Sequence, residues 1–204
     1  MDDGPECSRA HLSRRVLVTS GRRTIRRSRL TSSVEVGQLL QTLMIAELVA
    51  PSTCLWLVSP WISDIGVVDN STLSYEDLND AWGPREVRLS EVLLARARRG
   101  AALVVATRLN EPHNRPFLNT IRGAFGQADL NREPHLIVAD DDLLHEKGIA
   151  GDTFYLSGSM NLTYTGIHIG SELVALDLDP VEVARARRSF YERFGGVFDR
   201  RVGR

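Results

Sequence analysis

The stretch His145-Glu146-Lys147-Gly148-Ile149-Ala150-Gly151-Asp152-Thr153-Phe154-Tyr155-Leu156-Ser157-Gly158-Ser159-Met160-Asn161 decides the reading of this chain. It contains the one lysine of a sequence that otherwise uses 24 arginines for its cations. At a surface charge the two residue types are largely exchangeable. At a phosphate they are not, because Lys is a compact point charge and Arg a planar fork. The lone Lys therefore marks a place where Arg does not fit. The run reads His-x-Lys-x4-Asp, then Gly-Ser-x-Asn.

Each residue type suits phosphate chemistry. An extended Leu143–Ala150 strand puts His145 and Lys147, two apart, on one face and Glu146 on the other. A neutral imidazole beside a cation is a nucleophile or acid/base pair for a phosphodiester. Lys147 can neutralise a non-bridging oxygen. Gly158 allows close backbone approach, and Ser159 and Asn161 are neutral donors for the same oxygens. Glu172, in Gly170-Ser171-Glu172, is a candidate to accept the second ring N–H of His145 and fix its tautomer. No His, Cys or carboxylate spacing suits a metal, so neither metal nor cofactor is expected. Asp140, Asp141 and Asp142 read as a solvated turn, His168 as a loop histidine and Trp61 as a strand-end core aromatic, with base stacking the minor reading.

Outward from this stretch, the pattern alternates helix and strand. Val36, Leu39, Leu40, Leu43 and Met44 recur at helical spacing, behind a Ser32/Glu35 capping pattern and before Pro51. Leu55–Val58 reads as a short buried strand. Residues 66–86 read as a polar excursion, a lid in form. Leu89–Ala97 is the next helix, Leu103–Val105 a strand and Phe117–Phe125 a helix. Strands follow at His135–Ala139, Leu143–Ala150, Thr153–Ser157 and Glu172–Leu178. Asp179-Pro180 opens a last helix. The fold class is α/β: a mixed sheet flanked by helices, an α-β-α sandwich. His113-Asn114-Arg115 is not a second copy of the motif and reads as a loop before a helix.

Composition sets limits. An apolar share of 43% and a charged share of 25% are ordinary for a globular domain. The net charge of −1 hides an asymmetry. Residues 1–30 carry eight Arg against three acids, and residues 136–182 carry nine acids against Lys147. We divide the chain into a basic arm or hairpin at 1–30, with strands at 16–19 and 24–25, and a catalytic domain at 31–204. Arg22, Arg23, Arg26 and Arg27 are candidate nucleic-acid contacts. Cys7 and Cys54 have neither disulfide nor metal spacing. The acidic start lacks the apolar core of a signal peptide, and the longest apolar stretch is too short and polar for a bilayer. A cytoplasmic protein without a membrane partner is expected.

The three linked motifs, His145-x-Lys147-x4-Asp152, Gly158-Ser159-x-Asn161 and Gly170-Ser171-Glu172, resemble those of the phospholipase D superfamily. Leu55–Trp61 is similar to that family's first strand, ending in Ser-Pro-aromatic. The resemblance implies a metal-independent phosphodiesterase acting through a phosphohistidine on His145. Lys147 and Asn161 would hold the phosphate, Ser159 would assist, Glu172 would orient His145, and Asp152 would brace the motif. A second histidine, from a second motif, would protonate the leaving oxygen. With one motif per chain, the resemblance implies a homodimer with a composite site. Short single-motif bacterial members are typically endonucleases, which implies nucleic acid, DNA more than RNA. Ser59–Asp64 also resembles the phospholipase D-like proteins of bacterial DNA-modification and defence gene clusters, DpdK among them, and so implies partner proteins of such a system. Two alternatives stand beside this reading. One is a non-catalytic DNA-binding or scaffold subunit, favoured by the acidic motif region. The other is a phospholipid phosphodiesterase.

Overall fold

A computed structural model describes residues 21–28, 34–130 and 135–195. In chain order the elements are β1 (Arg22–Arg27), α1 (Val34–Val49), β2 (Cys54–Val58), β3 (Gly66–Asp69), β4 (Glu86–Arg88), α2 (Leu89–Ala97) and β5 (Ala102–Thr107). Then come α3 (Arg115–Gln127), β6 (Leu136–Asp140), β7 (Gly148–Ala150), β8 (Tyr155–Gly158), β9 (Glu172–Asp177) and α4 (Pro180–Phe194). Seven strands form one mixed sheet in the order β1-β9-β8-β7-β2-β5-β6. β2, β5 and β6 run parallel, and every other neighbouring pair is antiparallel.

The period of two in the strands builds the layers. Leu55, Leu57, Leu103 and Val105 face one core, which α1, α2 and α3 cover. Trp56, Val58, Val104 and Ala106 face the other, closed by Phe190 and Phe194 of α4. Both faces of the central strands are covered, so their sequences read as unbroken apolar runs. Each fully buried Leu or Val here contributes roughly 1.5–3 kcal/mol. α4 begins as its sequence predicts: Asp179 accepts from the backbone N–H of Val181 at 2.8 Å and of Glu182 at 3.3 Å, with Pro180 in the first turn. The expected α-β-α sandwich is the observed architecture.

Two local expectations need correction. The strand expected over Leu143–Ala150 covers only Gly148–Ala150. Asp141 stops it: its carboxylate accepts from Leu143 N at 3.0 Å and its carbonyl from Leu144 N at 3.0 Å, which closes a turn. The excursion at 66–86 is no free lid. β3 and β4 pair with each other, and Val67, Val68, Trp82 and Val87 are buried in the larger core. Of the segment at 1–30, residues 21–28 are described, and Arg22–Arg27 pair antiparallel with β9 at the sheet edge. The other half of the expected hairpin, residues 16–19, lies outside the described residues, as do Cys7 and Ser32.

Candidate active site

Strand direction gathers the site. β2 and β5 end where β7 begins, because β7 is antiparallel to β2 with Val58 opposite Gly148. β8 ends and β9 begins at the same edge. Residues following β2, β5 and β8, and those preceding β7 and β9, therefore meet there. These are Ser59–Ser63, Arg108, Ser159–Asn161, His145–Lys147 and Glu172. Open sheets place ligands at such carboxyl ends.

His145 and Lys147 lie in irregular backbone before β7, and the strand argument for their pairing does not apply. Their side chains still meet: Lys147 Nζ is 3.3 Å from His145 Nδ1 and also donates to the His145 carbonyl. His145 is exposed. Glu146 turns away to Arg193 of α4 and accepts from Tyr155 Oη at 3.4 Å. Burial pulls the Lys147 ammonium below its ordinary pKa; Glu172 opposes that shift and Arg108 adds to it. Lys147 thus stands among Glu172, Arg108 and His145.

The Gly158-Ser159 turn depends on its glycine. Gly158 has φ of 145°, and a Cβ there would lie 2.0 Å from the Leu173 carbonyl oxygen. That approach lets Ser159 N donate to Leu173 O at 3.0 Å. The Ser159 hydroxyl donates to the Glu172 carboxylate and accepts from Leu173 N at 3.0 Å. Two expectations change accordingly. Glu172 receives the Ser159 proton and makes no hydrogen bond to the His145 ring. Ser159 spends its one proton on Glu172, so in this state it is not a phosphate donor. Asn161 follows with its amide oxygen buried and without a hydrogen-bond partner among the described residues.

Asp152 lies at the opposite end of β7. It accepts from Thr53 N at 2.8 Å and Thr53 Oγ1 at 3.0 Å, and pairs with Arg187 at 2.7 Å. It ties β7 to the start of β2 and to α4, and the structure does not bring it to His145 and Lys147. The arginines of β1 separate as well. Arg27 is only 5% exposed and donates to the carbonyls of Gly166, Ile167 and Gly170. It clamps a π-helical turn, Thr165–Ile169, that links Asn161 to Glu172. Burial and three carbonyl partners remove Arg27 from the expected nucleic-acid contacts. Arg23 pairs with Glu35, while Arg22 and Arg26 are exposed.

Sequence reasoning missed Arg108 and Asn114. Arg108 follows β5, donates from Nε to Leu144 O at 3.0 Å and lies with Cζ 5.9 Å from the Trp61 ring centroid. Asn114 is fully buried. Its Nδ2 donates to Pro60 O at 2.9 Å and Arg108 O at 2.8 Å, and its Oδ1 accepts from Ile62 N at 2.8 Å. It locks the Ser59–Ser63 loop to the end of β5. Ser63 N donates to Leu162 O at 2.8 Å, joining that loop to the Asn161 turn. The one signal for Arg108 was its position just past a buried strand. His113 lies against Ser63 Oγ at 2.7 Å, and His168 stacks on Tyr164 at 4.7 Å. His145 is the imidazole at Lys147.

Cys54 is half-buried, and burial pushes its thiol up to about 11, so it is a poor nucleophile. Among the described residues no three His, Cys, Asp or Glu gather as a metal site. No described helix is long and apolar enough to cross a membrane.

No protein-family model and no curated protein matches the sequence. Solved structures do match. Nuc from Salmonella typhimurium, a phospholipase D family member, is 14% identical, with a TM-score of 0.52 over 88% of this chain and 95% of that one. NucT from Helicobacter pylori is 10% identical, with a TM-score of 0.51 over 87% and 96%. Polyphosphate kinase from Porphyromonas gingivalis gives 0.56 at 13% identity, over 86% of this chain and 26% of that one. This is the phospholipase D fold. Nuc and NucT match along nearly their whole length, so the phospholipase D fold is present here as one unit of similar size.

Proposed function

We propose that this chain is a phosphodiesterase that cleaves nucleic acid, DNA in preference to RNA, through a covalent intermediate on His145. The observation that carries the reading is the meeting of His145, Lys147, Glu172 and Arg108 at one sheet edge. The resemblance of the three motifs supports it, as does the similarity in fold and length to Nuc.

In the first step a ring nitrogen of His145 attacks phosphorus. A P–N bond forms, a P–O bond breaks, and the leaving oxygen takes a proton from a second imidazole. Water then attacks phosphorus as the second imidazole takes a proton from it; a P–O bond forms, the P–N bond breaks, and His145 is released. Lys147 and Arg108 offset the charge on the equatorial oxygens, and the Asn161 amide holds one of them. Lys147 also sets the tautomer. With its ammonium against Nδ1, the ring proton of neutral His145 sits on Nε2, which is then no nucleophile. Phosphate binding draws Lys147 away, frees Nδ1 to take the proton, and bares Nε2 for attack. Active-site hydrogen bonds commonly rearrange in this way on substrate binding.

One motif per chain, with His113 and His168 engaged elsewhere, supports a second imidazole supplied by a second copy of the chain in a homodimer. Lys147 and Arg108 supply positive charge without a metal. The resemblance of Ser59–Asp64 to proteins of DNA-modification and defence clusters supports a place in such a system, with partner proteins. The test is cleavage of single- and double-stranded DNA in excess EDTA by wild type and His145→Ala, with the dimer fraction recorded. Cleavage that survives the chelator and disappears in the variant is expected. A folded dimer inert on every phosphodiester overturns the reading and leaves a binding or scaffold role.

A further inference from the structure

Arg108 and Trp61 belong to none of the three motifs, yet both are held beside them. Arg108 is fixed through Nε to the Leu144 carbonyl, next to His145. It makes no ion pair with a described carboxylate. Its charge lies close enough to Lys147 to oppose protonation of that ammonium. Two like charges held together in a partly desolvated corner cost free energy until an anion arrives. Arg108 thus widens the phosphate site beyond what Lys147 covers.

Trp61 supplies a different surface. Of the three tryptophans, Trp56 and Trp82 are 3% exposed and Trp61 is 40% exposed. This exposure is not slack packing. The Trp61 carbonyl accepts from Ser59 Oγ at 2.7 Å, and Asn114 fixes the residues on either side. The backbone that carries the indole is therefore fixed, and the Arg108 guanidinium lies 5.9 Å from the ring centroid.

A flat apolar face next to two cations matches a ligand with a flat base and a phosphate. We propose that Trp61 and Arg108 form a nucleotide subsite beside the reacting phosphate. It takes the base of an unpaired nucleotide on the indole and the adjoining phosphate on the guanidinium. A base inside a duplex has no free face to offer, so the subsite selects single strands or extruded nucleotides. The proposal rests on the phosphodiesterase reading for what happens at the neighbouring phosphorus, but binding tests it separately.

The experiment is a fluorescence titration of His145→Ala with oligo(dT), oligo(U), a duplex and an abasic strand of equal length. Trp61 is the one exposed indole, so stacking is read from its emission. Quenching by oligo(dT) or oligo(U), and none by the abasic strand, is expected; the two oligonucleotides tell which sugar is preferred. Adding Trp61→Ala weakens the base-bearing strands about tenfold or more and leaves the abasic strand unchanged, while Trp61→Phe keeps most of the affinity. Adding Arg108→Gln weakens every strand and lowers the salt slope by about one. Binding of oligo(dT) with unaltered emission, or an equal loss on the abasic strand, overturns the subsite. Quenching together with a wild type that never cleaves leaves the subsite standing and removes the phosphodiesterase reading. Cleavage by wild type that is indifferent to Trp61→Ala does the reverse.

Discussion

The two ends of β7 carry the same kinds of residue and use them in opposite ways. At its C-terminal end both carboxylates, Asp152 and Glu47, are paired and hydrogen-bonded. Asp152 is held by Thr53 and Arg187, and its N–H donates to Ser52 Oγ at 2.7 Å. Ser52 in turn donates to Glu47, which pairs with Arg96 at 2.6 Å while Arg96 fills the carbonyls of Ser52 and Ala102. At the N-terminal end the Arg108 charge opposes that of Lys147, Glu172 takes a hydroxyl, and Asn161 keeps a buried oxygen without a partner among the described residues. Satisfied networks hold structure, and unsatisfied ones mark where a ligand completes the bonding. One short strand therefore separates a brace from a site, and the consecutive motif His-x-Lys-x4-Asp spans both.

The largest effect expected is at the unsatisfied end. His145→Ala should lower cleavage by about 10³-fold or more and leave the thermal midpoint almost unmoved, since the side chain is exposed. Lys147→Met should cost about 10²-fold or more in rate with no loss of stability. The sign follows from the depressed pKa: the fold disfavours the charged ammonium, and at neutral pH removing that charge relieves a penalty. Steady-state rates beside melting curves check both. A variant at either position that loses activity only through unfolding breaks the comparison.

At the satisfied end the expectation reverses. Arg96→Met leaves Glu47 buried and unpaired, which costs about 3–5 kcal/mol in a denaturant titration. Activity per folded molecule should stay near wild type. Asp152→Asn should cost less, about 1 kcal/mol, because its pair with Arg187 is about one-third exposed. Its rate per folded molecule should not change. A fall of tenfold or more there would place Asp152 in the catalytic step despite its position.

Legibility in the sequence follows the same division. His145, Lys147, Ser159 and Asn161 could be read because they sit within one contiguous run, where spacing alone sets proximity. The layers could be read because Leu55–Val58 and Leu103–Val105 are apolar on both faces. Arg108, Asn114 and Arg27 could not. Their roles arise from β2 lying parallel to β5 and from β1 lying against β9, pairings that no local pattern encodes. The extended strand at Leu143 was a false reading of Leu143-Leu144, whose apolarity hid the stronger turn signal of Asp141. The Ser159–Glu172 hydrogen bond was hidden for a different reason: Ser159 and His145 are both candidate partners for one carboxylate, and sequence does not rank them.

The smallest effect expected lies between the two ends. Tyr155 packs edge-on to Phe190 with ring centroids 5.9 Å apart, and its hydroxyl donates to Glu146. Burial, with the Glu146 charge behind it, pushes the phenol from 10.0 up to about 12. Between those pH values the unfolded chain loses this proton and the folded chain keeps it. The folded state then binds more protons, so stability falls as pH rises from 10 to 12 and is unaffected below 10. Cys54 behaves alike from 9.0 to about 11, so Cys54→Ser is the background that isolates the phenol. In that background Tyr155→Phe should flatten the alkaline decline of the denaturant midpoint while leaving its value at pH 8 nearly the same. If the decline persists, the buried Tyr155 phenol is not its source.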